Sequence, residues 1–219
     1  MALVVRWLGC LPLEEALILQ EQAALECAAG HETVLLLEHK PVYTTGRGGA
    51  VAHLPDAAHA GELPVHRLSR GGDATYHGPG QLVGWVIVDL RRRAGDAHRH
   101  LRALEEALLQ IGDAFELATT RRPGLTGVWT RSEPPRKLGS IGIGVRRGVT
   151  RHGFALNVRR GSLAGFRAIV PCGLAGVEMT SLESECPGRE ITVTDAVRVA
   201  EPILRKIFEI RSRECPARS

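Results

Sequence analysis

Lysine is nearly missing from this chain of 219 residues: it has three, Lys40, Lys137 and Lys206, against 25 arginines. Wherever a fixed positive charge suffices, the sequence uses arginine, which cannot lose its proton, so each retained lysine raises a question of chemistry. Cysteine pairs are missing too. The five cysteines, at 10, 27, 172, 186 and 215, are odd in number and none stands in Cys-x-x-Cys spacing. That argues against a disulfide framework and against a structural zinc site, and it favours a reducing, cytoplasmic setting. No G-x-x-x-x-G-K-[ST] occurs, which excludes a P-loop, and no H-E-x-x-H or comparable His/Cys spacing suggests a metal. No run approaches the ~18 apolar residues of a membrane span.

What remains describes a globular chain. Hydrophobic residues make up 44% and charged residues 24%, enough for a sizeable core in one domain spanning 1–219. The formal charge of +4 comes from dispersed arginine; it does not imply nucleic acid but would help the protein meet acidic partners. Leu8-Gly9-Cys10 faintly resembles a lipoprotein cleavage box, yet no basic region precedes it and the apolar run is too short for a signal segment.

Strands are expected at Leu3–Leu8, Thr33–Leu37, Pro64–Leu68, Leu82–Leu90, Gly127–Thr130 and Val177–Leu182. Leu138–Val145 and Val149–Val158, joined at Arg146-Arg-Gly148, predict a hairpin. Helices are expected over Pro12–Ala29, after the cap Asp96, over Ser162–Ala168, and from Thr194 onward with a kink at Pro202. His39 to Gly49, Arg70–Gly80 and Arg121–Pro135 read as loops, and His98 and His100 as solvent-facing. The pattern predicts an α+β fold, a mixed, largely antiparallel sheet flanked by helices.

Three features carry chemistry. Cys172 lies in Ile169-Val-Pro-Cys-Gly173, where Pro171 and Gly173 suggest a tight turn rather than a core strand. A thiol needs a nearby cation to be a good thiolate at neutral pH, and Lys137 is the candidate, although taken alone it reads as a surface residue. The segment from Arg70 to Gly80 concentrates hydrogen-bonding side chains, Arg70, Asp73, Thr75, Tyr76 and His77, among glycines that permit close backbone approach. Gly139-x-x-Gly142-x-Gly144 inverts the dinucleotide fingerprint and runs on as strand, and Ser140 misses a nucleophile elbow by one residue.

Taken together, Arg70-Gly-Gly-Asp-Ala-Thr-Tyr-His-Gly-Pro-Gly-Gln81, Lys137-Leu-Gly-Ser-Ile-Gly142, His152-Gly-Phe-Ala-Leu-Asn157 and Pro171-Cys-Gly-Leu174 resemble the bacterial lipoyl(octanoyl) transferases, within the wider biotin and lipoate protein ligase fold. Leu36-Leu-Glu-His-Lys-Pro-Val-Tyr-Thr-Thr-Gly-Arg47 is similar to the family's early loop, and the segments run in the family's order from about residue 33 to 182. Lys40, Ala74 and Gly139 depart from its usual residues without removing a reactive group.

The resemblance implies a fold similar to the biotin/lipoate protein ligase catalytic domain and an acyltransferase without cofactor or metal. The donor would be an octanoyl thioester on acyl carrier protein. The acceptors would be lysines of the lipoyl domains of 2-oxoacid dehydrogenase complexes and of the glycine cleavage H protein, with no nucleic acid or membrane involved. It implies Cys172 as nucleophile and Lys137 as the amine that lowers its pKa and shuttles protons. A substrate-binding wall would come from Arg70, Gly71, Gly72, Asp73, Ala74, Thr75, Tyr76 and His77, with Ser140, Ile141, Gly142, Gly153, Phe154 and Ala155. Exchange between thioesters is nearly isoenergetic and conversion to an amide is downhill, which agrees with the missing phosphate loop.

Overall fold

A computed structural model describes residues 3–50, 53–54, 63–93, 95–173 and 176–209, with Cys172 described by its backbone alone. Among the described residues, ten strands form two sheets. The larger is built from β1 (Val4–Leu11), β2 (Thr33–His39), β6 (Gln81–Ile87), β7 (Thr119–Arg122), β8 (Leu125–Thr130), β9 (Lys137–Arg146) and β10 (Val149–Asn157), in the order β1-β2-β6-β10-β9-β8-β7. Only β1 and β2 run parallel in it; the other neighbours are antiparallel. The smaller sheet has β3 (Val42–Thr45) at its centre, between β4 (Val65–Arg67) and β5 (Thr75–His77). This is the mixed, largely antiparallel arrangement that the sequence predicts.

Alternation along the central strands sends side chains to two different cores. In β2, Val34 and Leu36 face one layer while Leu35 and Leu37 face the other; in β6, Leu82 and Val86 oppose Val83, Trp85 and Ile87. The first layer is covered by α2 (Ala97–Ala114) and α4 (Val193–Phe208). Leu104, Leu108 and Ile111 of α2 are fully buried there, each contributing about 1.5–3 kcal/mol. Asp96 caps α2 by accepting from the Arg99 amide, and Thr192 with Asp195 forms a capping box at the start of α4.

The second layer is covered by α1 (Leu13–Ala28), which buries Leu13, Ala16, Gln20, Ala23, Ala24 and Cys27 along one stripe. Gln20 sits in that stripe because its Oε1 accepts the His152 amide at 2.7 Å. α4 runs through Pro202 as one helix from Val193 to Phe208.

Several expectations are corrected. The His39–Gly49 loop contains β3, the Arg70–Gly80 turn contains β5, and the expected Gly127–Thr130 strand, which lies in β8, is paired with β7 just before it. Each of these strands is short, and β3 and β5 are held by partners outside their own segment. The expected strand at 177–182 is reduced to a bridge between Met179 and Lys137, and Leu182 opens the short helix α3 (Leu182–Glu185). Residues 160–168 form a 3-10 helix. His100 is buried rather than solvent-facing, its ring 5.5 Å from that of Phe208. Among the described residues no helix is long and apolar enough to cross a membrane.

Candidate active site

The smaller sheet leans against the larger, and a cavity opens between them. Arg70 makes the junction. Its guanidinium, 7% exposed, donates to the Thr44 carbonyl and hydroxyl (3.1 and 2.7 Å) and to the carbonyls of Gly71 and Asp73 (both 3.1 Å). The Gly71 amide then donates to the Ile143 carbonyl of β9 at 2.7 Å. A Cβ on Gly142 would lie 3.0 Å from the Gly71 oxygen, so the close approach of loop and strand requires a residue with none.

About 540 Å³ of space, the solvent mouth included, lies between these walls. Of the expected wall residues, Arg70, Asp73, Thr75, His77, Ser140, Ile141, Gly142, Gly153, Phe154 and Ala155 line it. Gly71, Gly72, Ala74 and Tyr76 do not. Tyr76 instead joins Tyr43 and Phe166 in a small separate core. The remaining lining, which sequence reasoning missed, is Leu13, His39, Leu68, Val83, Trp85 and His152. His39 and His152 stood inside the segments that carry the family resemblance. The others look like ordinary core residues.

Three histidines shape the cavity's electrostatics. Burial pushes His39 and His152 down to about 4 and His77 down to about 3, so all three are neutral at physiological pH. The His39 ring stands 5.5 Å from His77 and 5.4 Å from Trp85, which in turn stands 5.5 Å from His152. Gln81 fixes one tautomer. Its amide nitrogen donates to Asn157 Oδ1 and the Tyr76 carbonyl, so its Oε1 accepts from His77 Nδ1 at 2.6 Å. His77 Nε2 is therefore left as an acceptor. His152 has φ of +59°, a left-handed conformation uncommon for a residue with a side chain.

Lys137 opens β9 and is 3% exposed, not the surface residue it resembles in isolation. Its Nζ lies 5.2 Å from the centroid of the Trp129 ring, whose face favours a cation. Its backbone accepts from Thr180 and donates to Glu178, tying β9 to the segment that follows the Cys172 turn. Lys137 is not part of the cavity lining.

Residues 171–173 form a single 3-10 turn, as the flanking proline and glycine suggest; the Cys172 thiol lies outside the described residues. Gly173 has φ of +67°, and a Cβ there would come within 2.6 Å of Asp73 Oδ2. The turn is thus pressed onto a residue of the cavity wall. Asp73 Oδ2 also meets His53 Nδ1 at 2.5 Å, and the His53 carbonyl accepts from the Val170 amide at 3.3 Å. Nothing in the sequence around His53 signalled this.

An α+β domain with a cavity between two sheets, bordered by a cysteine-bearing turn, is the class of protein that this fold and site define. A family model described as the lipoyl protein ligase A/B catalytic domain matches residues 12–204, and the chain belongs to that family. The octanoyltransferase of Geotalea uraniireducens (strain Rf4) is 48% identical over 212 residues, covering 94% of this chain and 95% of its own. The octanoyltransferase of Geobacter metallireducens (strain ATCC 53774 / DSM 7210 / GS-15) is 50% identical over 198 residues, covering 90% and 89%. Among solved structures, a lipoate-protein ligase A bound with ATP superposes with a TM-score of 0.75 at 14% identity, over 98% of this chain and 89% of that one. The bipartite lipoate protein ligase of Thermoplasma acidophilum gives 0.72 at 16% identity, over 98% and 86%. At such identities these two speak for the fold alone.

Proposed function

We propose that the protein is an octanoyltransferase that carries an octanoyl group from the thioester of acyl carrier protein to a lysine of a lipoyl domain, by way of a thioester on Cys172. The observation that carries this reading is the contact between the Cys172 turn and the cavity wall, Gly173 against Asp73, in a chain whose relatives are octanoyltransferases. Cys172 Sγ attacks the donor carbonyl and the carrier thiol leaves; the acceptor amine then forms the amide and releases Cys172. Lys137 supplies the positive charge that favours the thiolate and a proton it can give and take. The apolar parts of the cavity, Val83, Trp85, Ile141 and Phe154, suit an acyl chain, and the neutral histidines add no charge to that of Arg70 and Asp73. Neither step consumes ATP, and the reading needs no cofactor. The whole chain acts as one catalytic domain in the cytoplasm, serving 2-oxoacid dehydrogenase lipoyl domains and the glycine cleavage H protein.

Intact-mass analysis after incubation with octanoyl-carrier tests the central claim. One octanoyl adduct is expected on the wild type and none on Cys172→Ala; an unmodified wild type would overturn it. Lys137→Arg is expected to lose most activity although it keeps the charge, because arginine cannot hand over a proton. Amide product with free octanoate and ATP, and none with the carrier thioester, would replace transferase with ligase. Free octanoate as the main product of the thioester would make the protein a thioesterase.

A further inference from the structure

The reaction moves more protons than one amine conveniently handles. A lysine side chain arrives at the site as an ammonium, since its ordinary pKa is about 10.4. It must lose one proton before it can attack and a second as the amide forms. Lys137 sits deep in the fold over the Trp129 ring and is not part of the cavity lining. A proton acceptor for the incoming amine has to lie at the cavity rim.

His53 lies there. It brackets Cys172 on both sides: its carbonyl accepts from Val170, and its ring reaches within 3.1 Å of the space a Cβ on Gly173 would fill. Its side chain is 30% exposed, open to an arriving partner, while that of Asp73 is 13% exposed. Asp73 Oδ2 holds Nδ1 at 2.5 Å, and Asp73 is itself held, with Oδ1 accepting from the Ala74 amide at 2.6 Å and its carbonyl accepting from Arg70. A carboxylate on Nδ1 fixes the proton on that nitrogen. Nε2 is left with a lone pair that can accept a proton.

We propose that His53, oriented by Asp73, is the base that takes the proton of the acceptor amine in the second half of the reaction; this rests on the octanoyltransferase reading. In that step Nε2 takes one proton from the ammonium and the freed amine adds to the octanoyl carbonyl on Cys172. The C–N bond forms, the C–S bond breaks, and the amine's second proton ends on the Cys172 sulfur. The products are the amide, the Cys172 thiol and His53 imidazolium, which returns its proton to water. The charged groups facing His53 among the described residues are Asp73 and, behind it, Arg70; from the 170–173 segment it meets backbone.

The test separates the two halves in the full-length protein. Carrier-thiol release reports acylation of Cys172, and single-turnover transfer from isolated octanoyl-enzyme to a lipoyl domain reports amide formation, each followed from pH 6 to 10. In His53→Ala, transfer at pH 7 is expected to fall about 100-fold and acylation far less, with the deficit shrinking as the pH nears that of the free amine. Added imidazole should restore part of the transfer rate, and Asp73→Asn should show a smaller version of the same split. Equal losses in both halves, an unchanged transfer rate, or a pH-independent loss that imidazole does not relieve would each overturn the assignment. Failure of wild-type Cys172 to become acylated would instead overturn the octanoyltransferase reading itself.

Discussion

The two faces of the large sheet are built from the same strands but to different ends. The face under α2 and α4 packs an apolar core, and its buried charge is answered locally: Glu105 accepts from Arg102 and Arg121 and from the Gly127 amide. The face under α1 gives up part of its packing to a cavity, and it keeps His39 and His152 buried and His77 half-buried beside it. Burying a polar ring costs free energy that aliphatic packing would not. The first face holds the sheet together, and the second spends part of that stability on a site.

Acid should widen this difference most. The three cavity histidines resist protonation in the folded state down to about 4 or 3, while in the unfolded chain they take protons below about 6.5. Stability should therefore be flat above that value and fall as the pH drops towards 4, by up to about 1.4 kcal/mol per histidine per pH unit. His100, pushed to about 4 beneath α4, adds the same dependence on the other face. Urea unfolding of wild type and His100→Asn at several pH values should show the variant losing one proton's worth of slope. A slope that vanished in the variant would break the comparison, because it would leave the cavity face without effect.

Leu108→Ala on the α2 face should cost about 2–5 kcal/mol in the same unfolding assay, with little change in the KM for acyl donor. On the cavity face, Gln20→Ala removes the acceptor of the buried His152 amide. It should cost about 1–3 kcal/mol and also slow transfer, because His152 forms part of the wall. Ile18→Ser, on the exposed side of α1, should change stability by less than about 0.5 kcal/mol and activity not at all.

The fold was legible where strands are long and alternate within their own segment, as in β2, β6 and the β9–β10 hairpin. β3 and β5 were not, because three or four residues beside proline or glycine carry no period of their own; their pairing comes from each other and from β4, and Arg70 locks it. His100 was misread because nothing local shows that the end of α4 folds over it. Within the site, the wall segments stood out by their density of glycine and hydrogen-bonding groups. Leu13, Val83 and Trp85 did not, since a cavity lining made from core strands has the same alternation as the core. His53 was invisible for a different reason: its role depends on Asp73 and on the 170–173 segment, both distant in sequence.

The bonds around the cavity and the Cys172 turn join distant parts of the chain: Gln20 with His152, Gly71 with Ile143, His53 with Val170. Contacts of this span form late in folding, after the loops between them have closed. A chain emerging from the ribosome has no site until residue 173 is out, so it would meet acyl donors as an inert polypeptide. Transferase activity should appear in one step with the last cooperative phase of refolding, well after most of the helical signal has returned.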